Sequence, residues 1–368
     1  MDAARLRSAF PVLERTAYLN AGTCGPVPAA AQHAAADAWD LATREGRSYA
    51  FYERLVPLAE QLRDRYARLL NARGADDIAL TAGTSDGCGH VVAGVGLRPG
   101  DEVVTADDEH PGLTGPLIAA RQQRGVRVRA VPLHDIPDAI TDTTRLVACS
   151  HVSWHSGAIA PVADIVSAAR ARDIPILLDG AQGVGAIPLD VQQLGVDFYS
   201  GSGQKWLCGP VGTGMLWIAP EWTTRLASPA PSYGGLADHA AGLDSPLVEN
   251  ARRHDTPLRD LSLVAAAVSA FDILAEADFQ PLQQRAAALA AQLATALADA
   301  GHSVIPRGPS TLVSWQTPDD DTATATAVRL QEAGITIRNL PGTGRLRASV
   351  GAWNDEDDLQ RLLTALAA

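Results

Sequence analysis

From about residue 75 to 220 the chain alternates short apolar runs with longer stretches in which apolar residues recur at helical spacing. The runs are DIAL (77–80), EVVTA (102–106), VRVRAVPL (126–133), RLVACS (145–150), PILLDG (175–180), VDFYSG (196–201) and GTGMLWI (212–218). Near-continuous apolar runs of this length suit strands buried on both faces, and their alternation with helices predicts a mostly parallel sheet between helical layers. One of the helical stretches, Ala163 to Arg172, places Ile165, Val166, Ala168 and Ala169 on one face.

After residue 220 the pattern changes. Residues 220–257 are rich in Pro, Ser, Gly and Asp and predict a long irregular connection, a kind that is uncommon and often functional. Two Ala/Leu-rich helices follow, Leu258 to Ala277 and Pro281 to Ala300. Strands near 303–305, 311–316, 335–338 and 346–350, with helices near 322–333 and 355–367, complete a small α+β domain. The expected division is an N-terminal segment (1–20) packing with the small domain, a large domain (21–257), and the long helices with the small C-terminal domain (258–368).

Composition narrows the class. The 368 residues carry 42 Asp+Glu against 30 Lys+Arg, a net charge of −12, and 46% are hydrophobic against 20% charged. Enough apolar residue is present to bury a core, which excludes a disordered chain. The acid excess argues against nucleic acid as a partner. Cys24, Cys88, Cys149 and Cys208 lie far apart without CxxC spacing, so neither a metal site nor a disulfide framework is expected. The start, MDAARLRSAF, lacks the apolar core of a signal peptide, and no run of about 18 apolar residues exists for a membrane span. A cytoplasmic protein without membrane contact is the expectation.

In open α/β sheets, ligands collect at the carboxyl ends of the strands. PILLDGAQGVG puts Asp179 at such an end, where a carboxylate either caps a turn or holds a cofactor's ring nitrogen protonated. GSGQKWLCGPVGTG puts Lys205 in a glycine-rich turn beside Trp206, and Lys205 is the only lysine in the sequence. A chain that is otherwise purely Arg-basic, yet keeps one lysine in an apolar turn, points to an amine used for Schiff-base chemistry.

The ordered motifs TAGTSDG (81–87), EHPG (109–112), SHVSWHSG (150–157), DGAQ (179–182), SGQKW (202–206) and RASVGAWN (347–354) resemble the class V aminotransferase and cysteine desulfurase family. Its members are fold-type-I enzymes dependent on pyridoxal 5'-phosphate, and the likeness is strongest to cystine and cysteine carbon–sulfur lyases. The resemblance implies an α/β fold, with a large domain built on a mostly parallel seven-stranded sheet between helices and a small α+β domain. It implies that Lys205 binds the cofactor and moves the Cα proton, that Asp179 pairs with the pyridine nitrogen, that Gln182 donates to the phenolic oxygen, and that His110 stacks on the ring. Thr84, Ser85, Ser202 and Gln204 are then phosphate neighbours, and Thr256 is the threonine that a neighbouring subunit supplies, which implies a homodimer with shared sites. Arg347 matches the arginine that takes the substrate's carboxylate, with Ala21, Gly22 and Thr23 closing over the substrate; Arg338 and Arg345 are expected to be solvated or structural.

The sequence departs from that family at three places. Gln204 stands where the residue before the lysine is usually His. Trp154-His155 replaces a Trp-Asn pair, which makes Trp154 a substrate neighbour and His155 a candidate acid or base. Between Ile335 and Arg347 the chain reads ITIRNLPGTGRLR, without the cysteine a desulfurase needs to capture sulfur as a persulfide. The expected reaction is therefore β-elimination on cystine or an S-substituted cysteine, giving a thiol or persulfide, pyruvate and ammonia. The alternatives are transamination or oxidative deamination of a specialised amino acid, and epimerisation.

Overall fold

The computed structural model describes residues 3–256 and 260–367. The chain opens with helix α1 (Ala3–Ser8) and the short strand β1 (Ala17–Tyr18), then helices α2 (Ala29–Glu45) and α3 (Tyr49–Leu70). Strand β2 (Ile78–Thr81) leads into α4 (Thr84–Gly94), β3 (Glu102–Ala106) into α5 (Pro111–Arg124), and β4 (Arg127–Val131) into the short α6 (Ile136–Ala139). Strand β5 (Thr144–Ser150) precedes α7 (Val162–Arg170), and β6 (Ile176–Asp179) precedes α8 (Val191–Leu194). Strands β7 (Phe198–Ser202) and β8 (Gly214–Ile218) complete a seven-stranded sheet in the order β2-β8-β7-β6-β5-β3-β4.

All seven expected strands form, and the mostly parallel sheet is borne out. Only β8 runs antiparallel to its neighbours β2 and β7. Strands β6, β7 and β8 are buried along their whole length. The helical layers pack on both faces of the sheet, which is why these strands read as apolar runs rather than as alternating ones.

Residues 220–257 hold short 3-10 helices at 220–222, 233–235, 239–244 and 251–254. The expected boundary at residues 257 and 258, and the expected start of the next helix at Leu258, lie outside the described residues. Helices α9 (Leu261–Glu276) and α10 (Phe279–Asp299) follow, then β9 (Leu312–Gln316), α11 (Asp320–Glu332), β10 (Ile335–Thr336), β11 (Arg338–Leu340), β12 (Arg345–Ser349) and α12 (Glu356–Ala367). The run near 303–305 does not form a strand: Val304 makes one isolated bridge to Trp315, and Pro306, with no N–H to donate, follows at once. The second sheet has the order β11-β12-β9, while β1 pairs in parallel with β10 and Asn20 bridges to Ser349. Arg7 of α1 adds a two-pronged grip on the buried Asp358 of α12, at 2.7 and 3.1 Å. The N-terminal segment thus contacts β10, β12 and α12. Among the described residues, no helix is long and apolar enough to cross a membrane.

Candidate active site

The carboxyl ends of β2, β6 and β7 and the loop after β5 open onto a cavity of about 460 Å³, closed on the far side by the N-terminal loop and the hairpin β11–β12. Its walls include Asp179, Gln182, Ser202, Gln204, Lys205, Thr84, Ser85, His110 and Trp154 from the large sheet's side, Gly22 and Thr23 from the N-terminal loop, and Arg347 from β12.

Lys205 opens onto the cavity from a turn that the N-terminal loop touches directly. The Gly25 N–H donates to the Gln204 carbonyl at 2.8 Å, and a Cβ on Gly25 would lie 2.1 Å from the Lys205 carbonyl oxygen, so only glycine permits this approach. Burial, helped by the charge of Arg347, lowers the Lys205 amine to about 8, while Asp179 and Cys24 pull the other way. Asp179 is buried, and its Oδ1 accepts the Ala181 N–H at 2.9 Å. Burial raises its carboxyl; that hydrogen bond and Lys205 oppose the rise.

His110 is the N-cap of α5, its Nδ1 accepting the Gly112 N–H at 3.0 Å. This contact fixes Nδ1 as the acceptor, and burial with Lys205 and Arg347 lowers the imidazole to about 4, so the ring is neutral. Its edge meets Trp154 with centroids 5.1 Å apart. The Gln182 amide is oriented without ambiguity. Its Oε1 accepts the Trp206 indole N–H at 3.0 Å, and its Nε2 donates to the Gly22 carbonyl at 2.8 Å.

At the opposite end, three buried polar atoms have no hydrogen-bond partner: Thr84 Oγ1, Ser202 Oγ and Gln204 Oε1. Thr84 and Ser85 open α4, whose first backbone N–H groups favour an anion. Asp86 also lines this end; it accepts the Ala82 N–H at 3.0 Å and the Thr256 hydroxyl, and lies 3.7 Å from His90 Nε2. Nearer the mouth, Arg347 is buried, donating to the Trp154 carbonyl at 2.7 Å and to Thr23 Oγ1 at 3.2 Å, while its Nε remains unpartnered. Burial and the facing Arg338 lower it to about 9.

Three expected site residues lie outside the cavity wall. Ala21 is fully buried in an apolar cluster beneath the loop. His155 turns toward the small sheet: Arg345 Nη1 lies 2.8 Å from its Nε2 and 3.0 Å from its Nδ1, with Asp108 at 3.8 Å. Burial and Arg345 lower its imidazole. Thr256 is bonded within its own chain to Asp86. Conversely, Arg338, expected to be solvated or structural, lines the cavity together with Leu340 and Asp86.

The hairpin β11–β12 is tight. Leu340 pairs with Arg345 across Pro341, Gly342, Thr343 and Gly344, and the carboxylate of Asp320 accepts the N–H groups of Gly342, Thr343 and Gly344 at 2.6, 3.1 and 2.8 Å. None of the four cysteines lines the cavity.

A model of the aminotransferase class-V family matches residues 22–362. The chain belongs to that family. It is 28% identical to the cysteine desulfurase CsdA of Escherichia coli (strain K12) across 99% of this chain and 96% of that protein. A probable cysteine desulfurase of Pseudomonas aeruginosa is 33% identical over 85% of this chain and 83% of its own. The solved complex of the cystine C–S lyase C-DES with its reaction product cysteine persulfide superposes with a TM-score of 0.92 at 26% identity, covering 97% of this chain and 99% of that one. The class V protein described here is thus a pyridoxal phosphate-dependent enzyme of the branch that contains cysteine desulfurases and carbon–sulfur lyases, with the fold-type-I architecture. The cavity suits that cofactor: a lone amine, a buried carboxylate without a cation bonded to it, and the unpartnered hydroxyls of Thr84 at a helix N-terminus and of Ser202 at a strand end.

Proposed function

We propose that the protein is a carbon–sulfur lyase that carries out β-elimination on cystine or an S-substituted cysteine, consuming one water and releasing a thiol or persulfide, pyruvate and ammonia. The observation that carries this reading is the cysteine-free hairpin β11–β12, fastened by Asp320 immediately before Arg347. A desulfurase must bring a thiolate to the substrate sulfur, and this four-residue turn neither holds a cysteine nor has length to reach inward. The relatives named as desulfurases favour the other reaction; the hairpin argues against it here.

In this reading Lys205 holds the cofactor and Asp179, Gln182, His110, Thr84, Ser85, Ser202 and Gln204 seat it. The bound cofactor supplies an electron sink for the pair left when the substrate loses its Cα proton. Lys205, kept from full protonation by burial, takes that proton. Arg347 binds the substrate carboxylate as a fork, and Gly22 and Thr23 close the wall beside it. Arg338, at the rim, offers a second carboxylate, such as cystine carries, its own cation. His110, neutral and aimed across the cavity, orients the reacting groups by ring contact. His155 acts on the substrate only through the backbone it shares with Trp154. A homodimer belongs to the same reading, supported by the exposed Trp39, Tyr49, Tyr52 and Val56 on α2 and α3.

Pyruvate release from cystine without an added keto acid tests the proposal. Strict dependence on a keto acid would make the enzyme an aminotransferase, and exchange of the Cα hydrogen in deuterated water with an intact side chain would make it an epimerase.

A further inference from the structure

A second carboxyl lies buried behind the one that faces the cavity. Glu109 is 8% exposed, and it spends both oxygens on one residue: Oε1 accepts the Ser150 backbone N–H at 2.7 Å, and Oε2 lies 2.5 Å from Ser150 Oγ. Ser150 ends β5, and its ladder partner across β6 is Asp179. The next residue after Glu109 is His110, which lines the cavity. The preceding residue, Asp108, is anchored in parallel, taking the Ser153 hydroxyl at 2.8 Å and, through its carbonyl, the Trp154 indole N–H at 2.8 Å.

Structure alone does not require an acid here. A buried carboxyl is costly to desolvate, and an amide side chain would bind the same Ser150 groups without charge. The groups that act on Glu109 are Asp179 and Asp108, and the buried thiols of Cys88 on α4 and Cys149 on β5 feel both Glu109 and Asp179. None of them is a cation, so the charge of Asp179 acts on Glu109 without local neutralisation, and a coupling between two ionisable groups is reciprocal. Burial, opposed by the two Ser150 contacts, raises the Glu109 carboxyl to about 8.

We propose that Glu109 is a positioning residue for the ring-nitrogen end of the cofactor site: it fixes the strand end beside Asp179 through Ser150, and by exchanging a proton with solvent it changes the field in which Asp179 holds its partner. The inference rests on the cavity being the cofactor site of the proposed function.

The test is a pH titration of the visible absorbance of the cofactor-loaded enzyme, in the native protein and in Glu109→Gln, Glu109→Asp and Ser150→Ala. An ionised Glu109 favours the protonated form of the chromophore. Glu109→Gln should therefore match the native spectrum below about pH 7 and lower the titration midpoint by about half a pH unit or more. Glu109→Asp, which keeps the charge, should restore part of the shift. Ser150→Ala, which removes one contact that favours the ionised acid, should move the midpoint the same way by less, and it serves if Glu109→Gln folds poorly. Superimposable titrations for the native and Gln proteins would overturn the proposal while leaving the site intact. A native protein with no visible band that Lys205→Ala removes would instead overturn the site on which it rests.

Discussion

Arg338 and Arg347 are direct ladder partners on the antiparallel strands β11 and β12, two cations facing one another at the mouth of the cavity. Like charges set opposite across a sheet destabilise it unless an anion joins them. Replacing Arg347 by Ala should lower kcat/KM by about 10- to 100-fold for every amino-acid substrate, as expected for a lost charged fork, and Lys should restore little of it. Arg338→Ala should weaken cystine more than S-methylcysteine, because only the former has a second carboxylate. Equal losses on both substrates would remove Arg338 from recognition of the distal end.

Lys205 titrates near 8 in the fold rather than near 10.5. Its neutral, nucleophilic form therefore accumulates as pH rises through about 8. Reconstitution of cofactor-free protein should speed up over that interval and level off above it, followed by the growth of visible absorbance. Lys205→Ala should bind no cofactor covalently and lose activity by about a thousandfold or more.

At the anion end, Gln204 offers an amide where a charged donor would bind more strongly. Gln204→His should tighten cofactor binding by about 3- to 10-fold near pH 6, with the gain fading as the imidazole loses its proton. Equilibrium dialysis across that pH range checks it, and unchanged affinity at pH 6 would place the phosphate elsewhere.

Cys24 is the one partly exposed thiol; Cys88, Cys149 and Cys208 are buried. Cys24→Ser should keep at least about half of the pyruvate-forming activity, since no sulfur needs to be held on the chain. Loss of turnover with accumulation of a protein persulfide in the native enzyme would point to desulfurase chemistry after all.

Stability should fall on mild acidification. His110, His151 and His254 are lowered from 6.5 to about 4, 4 and 3, chiefly by burial. Between those values the unfolded chain binds more protons than the fold, so stability is present above about 6.5 and is lost as pH drops toward 4. Glu109 works in the opposite sense: its raised value favours the fold below 4.5, and that contribution is lost as pH rises toward 8. His90 and His155 are lowered as well, while Asp77, Asp179 and Asp197 are raised in the sense of Glu109 but from a lower starting value. Over this interval the imidazoles lead, and the thermal midpoint of the cofactor-free protein should decrease from pH 6.5 to 4.5, measured by calorimetry.

Much of this was legible in the chain because burial on both faces writes strands as unbroken apolar runs, and because the residues of a cofactor site sit at strand ends, where a polar residue after such a run stands out. Asp179 and Lys205 announce themselves that way. Arg338 and Asp86 do not: each is one charged residue among many, and what sets it at the cavity is the hairpin that pairs Arg338 with Arg347 for one and the first turn of α4 for the other. Asp320 is similarly silent, an acid in an acidic helix start that happens to receive three backbone N–H groups from a turn 22 to 24 residues later. His155 misled for the converse reason, since adjacency to Trp154 says nothing about which way a side chain turns.

The lone lysine has a practical corollary. Every other basic side chain is a guanidinium or an imidazole, so Lys205 is the single ε-amino group of the chain, and it lines the cavity. Amine-directed mass tags will find no other side chain to modify, so the fraction of the peptide containing Lys205 that stays unlabelled becomes an occupancy gauge for the site without any assay of turnover.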